Sequence, residues 1–220
     1  MEGTMERPVI HVEGENDQHA LVHLLILNGV NYDSKPWPTE FPAFKPVEGV
    51  ERLVSGMELA VRFSGGLPIG FVLDADAPLQ DRWNGVCAKL RTAGVEMPGI
   101  PPEGGFLGYS ALYSARVGVW LMPDNQQDGK LETFLRTLVA ERDRLHEHAE
   151  EATCRAKQIG AQFAEADRDK AIIQAWLAWQ KEPGEPYGRA IRKHYFRHDS
   201  PAANAFVAWF KTLYGISGSA

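Results

Sequence analysis

The sequence predicts an α/β protein: a mostly parallel sheet with helices on both faces and helical additions toward the C-terminal end. Three observations carry this. Up to about residue 125, short apolar runs alternate with segments whose apolar residues recur at helical spacing. Residues 67–73, LPIGFVL, are almost continuously apolar, as a central strand buried on both faces must be. After Gly129 strand-like runs stop, and helical stripes continue to the end.

The elements follow in order. Residues 8–12 form a short β-branched run ending at Glu13-Gly14. Leu21, Leu24 and Leu25 mark a helix over 17–28, closed by Asn28-Gly29. The proline-rich stretch 32–46 admits one edge strand around 41–44, where proline is tolerated. Val50, Leu53, Val54, Met57 and Val61 repeat with the period of a helix. The apolar run 67–73 ends in Asp74-Ala75-Asp76, and Trp83, Val86, Cys87 and Leu90 mark the next helix, with Gly94 as its cap. Residues 104–110 and 117–122 are further strands, the second stopped by Pro123-Asp124-Asn125. Helices then follow along the stripe of Leu131, Phe134, Leu135, Leu138 and Val139, through the charged stretch 140–158, around Ile172, Ala175, Trp176 and Trp179, and from Ala202 to Leu213. Trp176, Trp179 and Trp209 fall on apolar stripes and are expected in the core. The organisation is a core over 1–140 with a helical extension, 141–220, packed on it.

With 220 residues, 44% hydrophobic and 24% charged, the chain can bury a core without disulfides. No apolar run is long enough to cross a bilayer, and the N-terminal residues lack the basic and apolar regions of a secretory leader. Cys87 and Cys154 form no C-x-x-C pair, which fits a reducing, cytoplasmic setting. A net charge of −6 argues against a surface coated in positive charge for nucleic acid. It is compatible with nucleic acid as a substrate handled by clustered carboxylates.

Those carboxylates stand where apolar runs end. Glu13 follows the first strand, with Asp17 four residues on; Asp74 and Asp76 follow the central one. Ligands of open α/β sheets sit outside the carboxyl ends of strands, so these acids share a crevice if the two strands are neighbours. If the extended conformation persists through 74–76, both Asp side chains point the same way. Converging acids repel unless neutralised, and Mg²⁺ or Mn²⁺ supplies that neutralisation. Spacing alone is also met by Glu13 as a helix cap and 74–76 as a solvated turn.

VIHVEGEND (9–17) and FVLDADA (71–77) resemble the two signature motifs of the Toprim domain: a strand ending in Glu-Gly, then a buried strand ending in Asp-x-Asp. The resemblance implies a Rossmann-like core binding one or two divalent metals for phosphoryl transfer on nucleic acid. MPDNQQDGKLETFL (122–135) and DKAIIQAWLAWQKEPGEPYGRAI (169–191) resemble a small group of Toprim-like proteins, so the likeness spans most of the chain. Similarity to the overcoming-lysogenization-defect nucleases implies a late acid, placed on Glu132 ahead of Asp124 and Asp128, and a late phosphate-stabilising lysine, placed on Lys170. Lys130 and Arg82 are the lesser basic candidates.

Arg189, Arg192 and Lys193 share a helix face, interleaved with Tyr187, Tyr195 and Phe196. They are candidates for tracking a phosphate backbone, or else form a solvated face with aromatic anchors. His146-Glu147-His148 lacks the spacing of an H-E-x-x-H zinc site, and His11, His19 and His23 are read as structural.

The expectation is an Mg²⁺- or Mn²⁺-dependent nuclease, most readily of DNA. Glu13, Asp74 and Asp76 are its central catalytic residues. Asp17 and Glu132 complete the metal shell, Lys170 steadies the phosphate, and Arg189, Arg192 and Lys193 bind nucleic acid. The alternatives are a primase-like nucleotidyl transferase and a non-catalytic interaction subunit. The resembling nucleases carry an ATPase, which here would be a separate subunit controlling a defence effector and docking on 140–158 or the C-terminal aromatic helices. Self-association into a homo-oligomer is compatible with all of these.

Overall fold

The computed structural model describes residues 7–33, 36–76 and 78–217. Five strands, β1 (Val9–Val12), β2 (Ala43–Pro46), β3 (Ile69–Asp74), β4 (Phe106–Ser110) and β5 (Ala115–Met122), form one sheet in the order β2-β1-β3-β5-β4. All neighbours are parallel except β4, which returns antiparallel along the outer edge of β5. Helices α1 (Glu15–Leu27), α2 (Val50–Arg62), α3 (Leu79–Thr92), α4 (Leu131–Thr137), α5 (Arg144–Gln158), α6 (Arg168–Ala178), α7 (Tyr187–Arg192) and α8 (Pro201–Tyr214) complete the fold. The predicted mostly parallel α/β architecture is therefore present, in a Rossmann-like arrangement.

Side-chain alternation on the strands explains the two layers. Ile69, Phe71 and Leu73 of β3, with Val117, Val119 and Leu121 of β5, face α2 and α3. Val72, Trp120 and Met122 face the opposite layer, built from α1 and α4–α8. That second core extends from Ile10 to Tyr214, so the described residues after 141 help complete the sheet's cover. Phe206, Trp209, Phe210 and Leu213 of α8 are buried in it and form no docking surface.

Helix α8 lies close against the sheet because two glycines face it. Gly70 and Gly118 are register partners on β3 and β5. A β-carbon at Gly70 would stand 2.5 Å from the Tyr214 hydroxyl, and one at Gly118 2.6 Å from a Leu213 methyl. Trp209 is anchored there by its indole N–H, which donates to the Phe106 carbonyl at 3.0 Å.

Three expectations need correction. The edge strand begins at Ala43 because Phe41 N–H is spent on a turn to the Pro38 carbonyl. Trp179 is not core: α6 ends at Ala178, leaving Trp179 at its cap, 42% exposed and tilted over His148. Gly94 lies one residue beyond the α3 cap, Ala93, with φ +74°.

Candidate functional site

The strand order reverses direction at β1 and β3: β2 lies on one side of β1, and every later strand on the other. Such a switch point opens a crevice outside the carboxyl ends of the two strands. β1 and β3 are direct neighbours, and Glu13 and Asp74 sit at those two ends. Glu13 Oε1 accepts the backbone N–H of Asp74 at 2.7 Å. Asp74 Oδ1 accepts the N–H of Leu131, the first residue of α4, at 2.9 Å. Asp17, in the first turn of α1, is buried, and its Oδ2 accepts the Gly14 N–H at 3.1 Å.

Glu132 enters from the first turn of α4. Gly129, at φ +149°, makes this entry possible, since a β-carbon there would meet Thr133 and Pro123 at 3.0 Å or less. Glu132 Oε1 accepts the Tyr187 hydroxyl at 3.1 Å, and that hydroxyl accepts Gln174 Nε2 at 3.1 Å. Tyr187 thus brings the start of α7 against the carboxylates.

The acids perturb one another. Burial raises the Asp74 carboxyl to about 9, with Glu13, Asp17 and Glu132 adding repulsion. Asp17 is pushed up to about 7, first by burial and then by Glu13. Glu13 is raised by burial and by Asp76, against the opposing pull of the Asp74 N–H, Arg82 and Lys130. Burial is the first cause for all three, with neighbouring carboxylates adding to it, so full ionisation of the cluster is disfavoured unless a cation joins it.

Asp76 is in the same cluster but does not point as alternation would place it. Its φ is +55°, and its backbone pairs with Gly129 in both directions, N–H to carbonyl at 3.0 and 3.1 Å. The extended conformation does not persist, and the side chain meets Arg82 at 2.6 Å and Lys130 at 3.7 Å. Those two cations, ranked behind Lys170 from sequence, are the ones that stand against the acids. Lys170 is exposed on the first turn of α6 and makes no ion pair among the described residues. Asp128 accepts the Leu79 N–H at the head of α3, and Asp124 accepts the N–H groups of Gln126 and Gln127 in its own turn.

As the side chains lie, no group of three or more His, Cys, Asp or Glu residues among the described residues is placed to hold one metal ion. The donor chemistry nevertheless suits a hard divalent cation. The converging groups are carboxylates, and the raised proton affinities of Asp74 and Asp17 mark charge that such an ion would neutralise.

The basic strip on α7 is engaged by acids. Arg189 pairs with Glu185 at 3.0 Å and Arg192 with Asp33 at 2.9 Å, while Lys193 is bound by both Glu182 and Glu185. Arg189 and Arg192 remain 64% and 54% exposed, whereas Lys193 is only 27% exposed. The histidines read as structural divide: His11 stacks on Phe71, and His19 is exposed. Cys87 and Cys154 are free thiols.

Fold and site together define a doubly wound α/β protein with an acidic crevice at its switch point. The chain belongs to the family described as "Protein of unknown function (DUF3226)", which it matches across residues 7–215. No curated protein and no solved structure matches it. Among the described residues no helix is long and apolar enough to cross a membrane.

Proposed function

We propose that this chain is a Toprim-type, Mg²⁺- or Mn²⁺-dependent phosphodiesterase acting on nucleic acid, most readily DNA. The observation that carries the reading is the meeting of Glu13 and Asp74 at the β1/β3 switch point, where burial and neighbouring carboxylates disfavour ionisation in the absence of a cation. A bound divalent cation would polarise the phosphoryl group and activate water there. Glu13, Asp17, Asp74 and Glu132 would hold it. Asp74 stays aligned through the Leu131 N–H, and Glu132 through the Tyr187 hydroxyl. Lys130 and Arg82, rather than Lys170, are positioned to offset charge on a phosphate, because both already face the acids at Asp76.

The test is plasmid nicking in Mn²⁺ and in Mg²⁺. Wild type is expected to convert supercoiled to open circles, and Glu13→Gln is expected not to, with an unchanged circular dichroism spectrum. A folded Glu13→Gln protein that nicks at the parent rate refutes the assignment. One feature favours the non-catalytic alternative: Asp76 is occupied by Arg82 and Lys130. Tight Mn²⁺ binding without nicking, by the chain alone and with its co-purifying partners, would select that alternative. Control by a separate ATPase remains part of the proposal, and affinity purification from the host tests it.

The α7 strip would guide the backbone into the crevice, since Tyr187 joins that helix to Glu132. Arg189 and Arg192 are the exposed contacts; Lys193 serves the fold through its two glutamates. Replacing both arginines by Ala is expected to lower the slope of log affinity against log salt on duplex DNA by about 1.8. Lys193→Ala is expected to leave the slope unchanged. Fluorescence anisotropy over a salt series measures both, and an unaltered slope in the double variant removes α7 from the interface.

A further inference from the structure

The layer of α2 and α3 is two helices wide, and among the described residues it leaves β1 and β2 partly uncovered on that face. A groove of about 540 Å³ opens there, at the amino ends of the strands and therefore at the opposite end from the carboxylate crevice. Its size is that of a small-molecule site, typically about 300–1,000 Å³. Its floor is Val9 and His11 of β1 with Ala43 and Lys45 of β2; Leu59 of α2 and Phe63, at that helix's C-terminal cap, form the wall.

Two properties identify the occupant. The wall is apolar and open to water: Leu59 is 56% and Phe63 74% exposed, although both line the same concavity. Large exposed apolar groups gathered in one depression mark a binding surface rather than chance exposure. The charge is one-sided. Arg7 and Lys45 are on the lining, no acid is among the described lining residues, and neither cation has a carboxylate partner among the described residues. Arg7 spends its Nη2 on the Pro38 carbonyl at 2.6 Å, while its buried Nε has no partner among the described residues. His11 lies stacked on Phe71 at the floor, held neutral near pH 7 by burial and by Lys45.

We propose that this groove binds a small amphipathic anion, with an acyl or aromatic body against Leu59, Phe63 and His11 and its acidic group beside Lys45 and Arg7. A neutral hydrophobe would leave both cations uncompensated, and an inorganic anion would leave the wall wet. The site is separate from the carboxylate crevice, so it stands whether or not the chain cuts nucleic acid.

The probe is 8-anilinonaphthalene-1-sulfonate, an aromatic body carrying one anionic group. Titration of the native chain is expected to give saturable fluorescence at one site. Octanoate is expected to displace the probe at about tenfold lower concentration than octanol, which lacks the charge. Lys45→Glu reverses the charge at an exposed edge-strand position and is expected to weaken probe binding by about tenfold or more. Gly56→Leu tests the shape. Gly56 lines the groove on α2, a β-carbon there meets nothing within 4 Å, and leucine favours the helix, so the chain folds with the groove filled. Binding is expected to fall comparably in this variant, with the melting temperature kept or raised. Non-saturable binding, equal displacement by octanol, or parent affinity in both variants would each overturn the proposal.

Discussion

Asp74→Asn is expected to abolish metal-dependent nicking and, without divalent cations, to make the chain more stable at about pH 8. The activity loss should exceed about 100-fold, the upper end of what losing an outer-shell partner costs a metal site. Stability moves the other way for an electrostatic reason. In the folded chain Asp74 holds its proton up to about 9, whereas its ordinary value is 3.8. Between those two values the folded state binds more protons than the unfolded state, so the parent loses stability as pH rises. Asp17, raised to about 7, adds a loss of the same sign over the lower part of that window. Asparagine cannot ionise, and its Oδ1 keeps the acceptor for the Leu131 N–H. The variant should therefore melt above the parent at about pH 8 and near it at about pH 4. Added Mn²⁺ should raise the parent's melting temperature more than the variant's. Thermal melts across pH, with and without Mn²⁺, measure this; a variant that melts below the parent at the higher pH contradicts the electrostatic reading.

Gly118→Val is expected to lose about 3 kcal/mol, the upper part of the range for overpacking. A β-carbon at Gly118 would stand 2.6 Å from Leu213 and 3.0 Å from Trp209. Trp209 is held by its bond to the Phe106 carbonyl and packs on Trp120 and Phe206, and Leu213 is buried in the same core. Relief requires lifting α8 from the sheet and opening the core it closes. Gly85→Ala provides the contrast: this glycine lies within α3 with nothing within 4 Å, so alanine should gain about 0.5–1 kcal/mol. Urea denaturation reads both. A Gly118→Val midpoint equal to the parent's would show that α8 is not seated on Gly118.

Glu13 and Asp74 were readable in the chain because each closes a run of apolar residues, and a strand buried in a parallel sheet can end only where polarity returns. The helices α2 and α3 were readable for the same reason, through the period of Val50, Leu53, Met57 and Val61 and that of Trp83, Val86, Cys87 and Leu90. Asp76 was harder. Its left-handed turn and its pairing with Gly129 depend on a segment 53 residues away in the chain, which no local spacing encodes. Arg82 and Lys130 ranked only as lesser basic candidates, since nothing near them in the sequence shows that both reach Asp76.

Amino-acid order by itself determined the periodicities, hence which segments are strands and which are helices, and it placed acids at two strand ends. These are local properties, set by side-chain polarity at periods of 2.0 and 3.6 residues. Tertiary structure alone decided that β1 and β3 are neighbours, that the start of α4 meets Asp74 with Glu132 steadied by Tyr187, and that Gly70 and Gly118 seat α8. Such decisions rest on contacts between residues distant in the chain, whose energy exists only once the sheet has assembled.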